Sequence, residues 1–397
     1  MMVNLLLNVP AHINLRKIGK IVFLVIPLCL QASVASPEES NKNSSTIQNC
    51  QPEDEIGFRG FTARLENDTF TNTDQNYTNG LAVTAVSHDI GDSLKTECLP
   101  LPLRLHSKFI KALTPGFWTH PDGTTSTYNV VVKLGQAIFT PKDFSSRDLI
   151  LNDRPYAGLL YVGMSWNQRS KNPEMNLEIL DTREITLGII GPWSLAKEAQ
   201  DAVHDATTVP KFYGWSHQLN NEPAIQLAMD KKFKSYQGDY AFAPGFSGDY
   251  ISSLGVRLGN IETSVTLGIE GRLGLNLPND FGSYTIRPGA ENRPPSTASP
   301  AGRSNGAFGP QSGVHLFSIL ETKLVARDFS LDGNLFSSSH HVTRRPWVAF
   351  AAIGVSLHTI MLKRGYKLAL MQAYHTFEFE EQEANHAYGS VALSMEF

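Results

Sequence analysis

The chain is poor in several features that would each point to a familiar class of protein. Only three of its 397 residues are cysteine, and no Cys-x-x-Cys or Cys/His spacing suggests structural zinc. Charged residues make up 18% and the formal net charge is −4, so neither a disordered chain nor a nucleic-acid binder is expected. After the first thirty residues no apolar run reaches the length of a membrane-spanning helix. There is no Gly-x-Ser-x-Gly elbow, no Walker loop, no His-Glu-x-x-His and no EF-hand spacing. That removes the commonest signatures of serine hydrolases, nucleotide-binding enzymes, zinc proteases and one kind of calcium protein.

What is present begins with an address. Arg16, Lys17 and Lys20 form a positive segment, Ile21 to Leu30 is apolar but short, and Ala32-Ser33-Val34-Ala35 offers a small-residue cleavage site. Residues 1–35 therefore read as a signal peptide. Leu28 before Cys29 is a poor lipoprotein signal, so no lipid anchor is expected. Residues 36–55 read as a flexible N-terminal segment and 56–397 as the folded body. In an exported chain the two remaining cysteines, Cys50 and Cys98, are candidates for a disulfide; two unrelated thiols are the alternative.

The folded body is a series of period-two segments. In 261–275, Ile261, Val265, Leu267, Ile269, Leu273 and Leu275 share one face, while Glu262, Ser264, Thr266, Glu270 and Arg272 share the other. A soluble sandwich would bury the apolar face, whereas a membrane barrel turns it to lipid and the polar face to a lumen. Recurrent charge on the second face, 31 glycines and the ending Val391-Ala392-Leu393-Ser394-Met395-Glu396-Phe397 favour the barrel. That ending resembles the C-terminal signature of bacterial outer-membrane barrels. The expected fold is all-β: a transmembrane antiparallel barrel of about twelve strands with a short extracellular loop helix. The strands are expected near 57–68, 77–90, 127–139, 156–168, 183–191, 222–235, 239–257, 261–275, 314–328, 345–358, 362–378 and 388–397. With both termini periplasmic, the joints 67–78, 140–154 and 192–221 lie outside the cell. The Pro-, Gly- and Ser-rich joint 276–313 is also expected outside, on the other half of the barrel. The long joint 91–126 reads as periplasmic, its Leu99-Pro100-Leu101-Pro102-Leu103 start and Ile110-Lys111-Ala112-Leu113 forming a short amphipathic piece against the inner leaflet.

Chemistry concentrates at the first outer joint. Glu66-Asn67-Asp68-Thr69 through Tyr77-Thr78-Asn79-Gly80 carries more amides, hydroxyls and carboxylates than a hairpin turn needs. A polar surface turn is the plain alternative. If the pleat of Phe61, Ala63 and Leu65 persists, Asn67 continues the lipid-facing side and Asp68 the other. Asp68, Asn67 and the hydroxyls of Thr69, Thr73 and Thr78 are hard oxygen donors, suited to calcium rather than zinc or copper. The segment 192–208 changes to helical period and sets Gln200 and His204 four apart on one face. His204 is the candidate general base, since an imidazole can take a proton from water near neutrality; a helix-surface histidine without a role is the alternative. Arg154 is either a rim charge or a holder of phosphate or carboxylate. His340 and His341 read as a solvated loop.

These motifs resemble the outer-membrane lipid A deacylase family. The matching stretches run in order: Glu66-Asn67-Asp68, Tyr77 to Gly80, Gly135 to Pro141, Asp153 to Gly158, Gly191-Pro192 through Gln200 to His204, Gly214-Trp215, Gln218 to Pro223, and Leu331 to Asn334. The resemblance implies a twelve-stranded barrel that removes the 3′-linked acyloxyacyl chain of lipid A by calcium-dependent ester hydrolysis, at a site between the outer barrel wall and a loop helix. Carried over, it makes Asn67, Asp68, Thr78 and His204 catalytic and Asp68 a calcium ligand. Gln200 and Arg154 would contact substrate. The implied location is the bacterial outer membrane with the site toward the outer leaflet, and the partners are lipopolysaccharide and membrane lipid, with a monomeric barrel the working expectation. One departure stands out. The acidic residue that the family usually has six positions after the histidine is here Pro210, so either the loop is rearranged or another carboxylate, such as Asp205, serves. A phospholipase, or a pore or scaffold without enzymatic activity, are the competing readings.

Overall fold

The computed structural model describes residues 56–68, 76–90, 96–118, 126–172, 177–207, 210–235, 238–239, 245–282, 312–362, 364–383 and 385–397. The signal segment 1–35, the segment 36–55 and the middle of the polar stretch, Thr69–Gln75 with the candidate donors Thr69 and Thr73, lie outside these. Among the described residues twelve long strands close into one antiparallel barrel. They are β1 (Phe58–Asn67), β2 (Asn76–Ser87), β3 (Ser126–Thr140), β4 (Ala157–Asn172), β5 (Leu177–Ile190), β6 (Glu222–Ser235), β7 (Phe246–Gly259), β8 (Glu262–Leu275), β9 (Gly313–Asp328), β10 (Trp347–Met361), β11 (Arg364–His375) and β12 (His386–Glu396). Each pairs with its sequence neighbours, β6 joins β7 from Gln226↔Gly259 to Lys234↔Ile251, and β1 closes onto β12 from Gly60↔Glu396 to Asn67↔Gly389. A two-residue piece, Gly238–Asp239, extends the β6–β7 hairpin by pairing with β7.

Closure leaves no sheet edge, and the side chains are sorted inside-out relative to a water-soluble protein. On β8, Ser264, Thr266, Glu270 and Arg272 are buried, while Val265, Leu267, Ile269 and Leu273 are 43–54% exposed. In water that pattern would leave a broad apolar belt wetted, at roughly 25 cal/mol for each Å². Against hydrocarbon it costs nothing, and the closed ladder satisfies the backbone. No helix among the described residues is long and apolar enough to cross a membrane. The lumen is filled by ion pairs: Lys133 with Glu184 at 2.8 Å, Lys323 with Glu262 at 2.8 Å and Arg257 with Asp230 at 3.4 Å.

The barrel has two ends. A loop end carries the joints after odd-numbered strands; a terminal end carries the chain termini and the joints after even-numbered strands. At the loop end a four-residue helix (Phe329–Asp332) buries Phe329 and Leu331. The expectation that 276–313 sits with the outer joints is corrected. This joint follows β8, an even strand, and so leaves the barrel at the terminal end. Its described start turns back into the lumen, where Asp280 bonds Lys367 at 2.8 Å and also pairs with Arg272. Phe281 lies 5.4 Å from Arg169 and 5.1 Å from Lys234, ring centroid to cation. A rich supply of Pro, Gly and Ser marked an irregular segment; it did not mark which end the segment occupies.

The joint 91–126 carries α1 (Leu101–Leu113), a single helix that takes in the Leu101-Pro102-Leu103 start and ends with Ile110–Leu113, with Pro102 in its first turn. Cys98, just before it, is disulfide-bonded. Its expected partner Cys50 lies outside the described residues.

Candidate active site

The loop end of β1–β4 presents a polar patch on the outer wall. Leu134 on β3 and Val162 on β4 are exposed and so mark the outward parity of their strands. By the same parity Gln136, Ile138 and Thr140 face outward. A bulge between Tyr77 and Asn79 leaves Thr78 as the extra residue of β2. Its Oγ1 meets Thr140 Oγ1 at 2.6 Å, which ties Thr78 to the outward row. Asn67 pairs with Asn79 across β1–β2 and shares the side of Leu65, as the pleat requires. Asp68, one residue on, is fully buried.

A helix lies over this wall. The chain leaves β5 through Gly191 (φ +90°), makes one turn of 3-10 helix (Pro192–Ser194), passes Leu195 in the left-handed region, and enters α2 (Ala196–Thr207). Ala196, Gln200 and His204 recur every four residues and are all buried. Ala196 and Ala199 pack with Ile138, Tyr156, Phe212 and Trp215. Gln136 Nε2 donates to the Ser194 carbonyl at 2.7 Å, and Gly158 on β4 gives the turn room, since a Cβ there would overlap Ser194 and Ala196.

The two polar residues on the buried face are held in defined orientations. His204 Nδ1 lies 2.7 Å from the carbonyl oxygen of Pro210, with the ring against Phe212. A carbonyl only accepts, so Nδ1 carries the proton and Nε2 is the basic nitrogen. Trp215 Nε1 donates to Gln200 Oε1 at 2.9 Å; this leaves the Gln200 NH2, buried and without an acceptor among the described residues, as the available donor. The suggestion that Asp205 replaces the missing acid is corrected. Asp205 points to solvent and pairs with Lys211 at 2.8 Å. Pro210 instead contributes its main-chain oxygen.

Arg154 is not part of this wall group. Its guanidinium is buried on the lumen side, 2.7 Å from Glu378 Oε2 and 5.6 Å from the ring centres of Phe139 and Phe379. Burial alone would raise the Glu378 carboxyl, but Arg154, with His375 and His386, outweighs it and holds the group down at about 2 instead of 4.5. A depressed carboxylate contributes stability above its unfolded value and loses it on acidification. The gap in unfolding temperature between the native chain and Glu378→Gln should therefore be constant above about pH 4.5 and close as pH falls toward 2, read from heat-induced gel mobility. A gap that closes between pH 8 and 6 would contradict this pairing.

Four groups were not given roles from the sequence. Thr140, Trp215, Gly158 and the Pro210 carbonyl each fix a candidate residue in place. Three of them lie inside stretches that the family resemblance had already picked out, so membership of a matching motif was the available signal. The fourth is a main-chain atom, which no side-chain pattern reveals. Glu222 and Asn334, also in matching stretches, lock loops. Glu222 accepts from the amides of Leu335 and Phe336 at 2.9 and 3.0 Å, and Asn334 bonds Asn220. Among the described residues no group of three His, Cys, Asp or Glu side chains is placed to hold an ion. Among the described residues the oxygen donors at the end of β1 are the carboxylate of Asp68, the amide of Asn67 and the hydroxyl of Thr78; the other carboxylate there, Glu66, shares the lumen-side parity of Thr62 and Arg64.

A closed antiparallel barrel with an apolar outer belt defines a β-barrel membrane protein, here with a polar patch and a covering helix on the outside of the wall. Residues 24–397 match the family model described as outer membrane protein LpxR, and the chain belongs to that family. Among solved structures it is similar to LpxR from Salmonella typhimurium, with 15% identity over 85% of this chain and 100% of that one and a TM-score of 0.59. The identity is low enough that the likeness bears on the fold alone. A looser likeness, TM-score 0.43 and 6% identity over 86% and 99% of the chains, is to the β domain of the Bordetella autotransporter BrkA. No curated protein matches the chain.

Proposed function

We propose that the protein is a lipid A 3′-O-deacylase of the outer membrane, working on the outer leaflet. The observation that supports this most is the position of His204. It sits on the inner face of a helix that lies against the outer barrel wall, with its proton fixed on Nδ1 by Pro210. A pore needs no base there, and the lumen is crossed by ion pairs and entered by residues 277–282. The loops that follow β3 and β5 at this end expose apolar side chains, among them Phe144, Leu149, Leu151, Trp193, Leu195 and Tyr213, a suitable border for acyl chains.

In this reading Nε2 of His204 takes a proton from water as the oxygen attacks the ester carbonyl carbon. The Gln200 NH2 donates to the carbonyl oxygen as it becomes an oxyanion. The tetrahedral intermediate collapses, His204 returns the proton to the departing sugar oxygen, and the products are a free 3′-hydroxyl and the acyloxyacyl acid. Asn67 and Thr78 orient the ester from the wall side. The donors near Asp68 suit Ca2+, which Asp68 would hold with neutral oxygens from Asn67 and Thr78, and which when bound supplies positive charge for the developing oxyanion. With one carboxylate among these donors, half-saturation should fall in the weak range for calcium sites, about 0.1–1 mM. Arg154 as a substrate contact has less support, because Glu378 and two rings already engage it.

Purified protein reconstituted with lipopolysaccharide should produce lipid A lighter by one acyloxyacyl group in mass spectra, and a chelator should abolish the change until calcium is returned. Loss of a fatty acid from glycerophospholipid with lipid A untouched would make the protein a phospholipase. A large conductance with no lipid product would make it a pore.

A further inference from the structure

Helix α1 has no part in the chemistry above, yet it is built for a particular environment. It lies on the outside of the barrel at the terminal end. Leu103 and Ile110 pack with Tyr128 and Val130 of β3 and Trp166 of β4. These strand residues share the outward parity of the exposed Leu134 and Val162. At about 100° per residue the thirteen positions divide into three sectors. Leu103, His106, Ser107 and Ile110 face the wall and are buried. Leu101, Leu105, Phe109 and Leu113 form a second stripe, one residue every four, and are 57%, 55%, 41% and 53% exposed. Arg104, Lys108 and Lys111 form the third, and the helix contains no acidic residue.

An apolar stripe of this size on a surface helix needs a partner, and its position says which. The helix sits at the level of an aromatic cluster on the same wall. Trp118 lies 5.3 Å from Tyr128 and 5.5 Å from Trp166, ring centre to ring centre, and Phe117 lies 4.9 Å from Trp118. Barrels carry such girdles where hydrocarbon meets headgroups. Phe58, Phe61 and Phe397 continue aromatic side chains around the same end. The leucine stripe therefore prolongs the lipid-facing belt, and the basic sector lies beside it.

We propose that α1 is an in-plane anchor on the phospholipid leaflet opposite the candidate active site. Leu101, Leu105, Phe109 and Leu113 enter the headgroup–acyl boundary, and Arg104, Lys108 and Lys111 bind the phosphates of anionic phospholipid. The anchor fixes the barrel's depth and rotation in the leaflet at the wall β3–β4, the strands on which α2 rests at the other end.

The test uses the full chain in bilayers of phosphatidylcholine and phosphatidylglycerol, with a nitroxide on a single new cysteine at Leu105→Cys, Phe109→Cys, Lys108→Cys or Lys111→Cys. Collisions with oxygen, which dissolves in hydrocarbon, should exceed those with a water-soluble nickel complex several-fold at 105 and 109, and the order should reverse at 108 and 111. Arg104→Gln/Lys108→Gln/Lys111→Gln should remove any enrichment of spin-labelled phosphatidylglycerol at the protein. Water-like collision rates at 105 and 109 would overturn the proposal. So would protection from both reagents, which means a protein contact, or spin–spin broadening, which means a second copy. If Phe109→Cys does not fold, Ala112→Cys, exposed on the same sector, replaces it.

Discussion

Replacing His204 with alanine should lower the rate of lipid A deacylation by about 100- to 10,000-fold, the usual range for losing a positioned general base, with the barrel still folded. His204 is buried on α2, its Nδ1 is held by a main-chain carbonyl in the following loop, and as a helix residue it takes no part in the strand ladder. The barrel's heat-modifiability should be unchanged, so the loss is chemical rather than structural. Pro210 sharpens the expectation. If its carbonyl orients the imidazole, Pro210→Ala keeps the acceptor and should keep most of the activity. A side-chain acid at this position would instead have been essential. His204→Gln, which keeps an amide but offers no basic nitrogen, should be nearly as inactive as alanine. Full activity in His204→Ala would move the base elsewhere and remove the mechanism.

Much of the fold was legible because the barrel writes itself into the chain at period two. On β8 the alternation of Val265, Leu267 and Ile269 with Ser264, Thr266 and Glu270 determines which side each residue takes, and the structure keeps that assignment. The same parity puts Asn67 on the side of Leu65, and it stops there, because Asp68 lies past the end of the strand. Periodicity fails where the chain is irregular. Nothing local distinguishes a joint that leaves the barrel from one that folds back into it. The insertion of Asp280 and Phe281 depends on Arg272, Lys367, Arg169 and Lys234, which come from four other strands. The site was half legible for the same reason. Gln200 and His204 share a helix face by spacing alone. The partners that orient them, Trp215 and the Pro210 carbonyl, come from the return loop, where no period applies. Arg154 sits in a matching motif and yet is engaged by Glu378, 224 residues away. A motif marks that a residue matters without saying which surface it serves.

Gly158→Val should remove nearly all activity while leaving the barrel intact. Gly158 lies in β4 opposite Ile138, its carbonyl accepts from the Gly191 amide at 3.0 Å, and paired strands hold its backbone. A side chain added there runs into Ser194 and Ala196, the turn that launches α2. The strand cannot retreat without breaking ladder bonds on both sides, each worth about 0.5–1.5 kcal/mol net. The turn is the softer partner. It is held to the wall by Gln136 Nε2 on the Ser194 carbonyl and by the Ala196 contact with Ile138 and Trp215. Displacing it carries Gln200 and His204 off the wall formed by β3 and β4, and a shift of about 1 Å in reacting groups can cost about 100-fold in rate. Gly271→Ala serves as the control, because the new Cβ meets only Ser318 Oγ, at 3.8 Å, on a strand far from the helix. The expected result is native heat-modifiability in both variants, with deacylation lost in Gly158→Val and kept in Gly271→Ala. Activity retained in Gly158→Val would mean that α2 need not lie against the wall, and the site between helix and barrel would have to be abandoned.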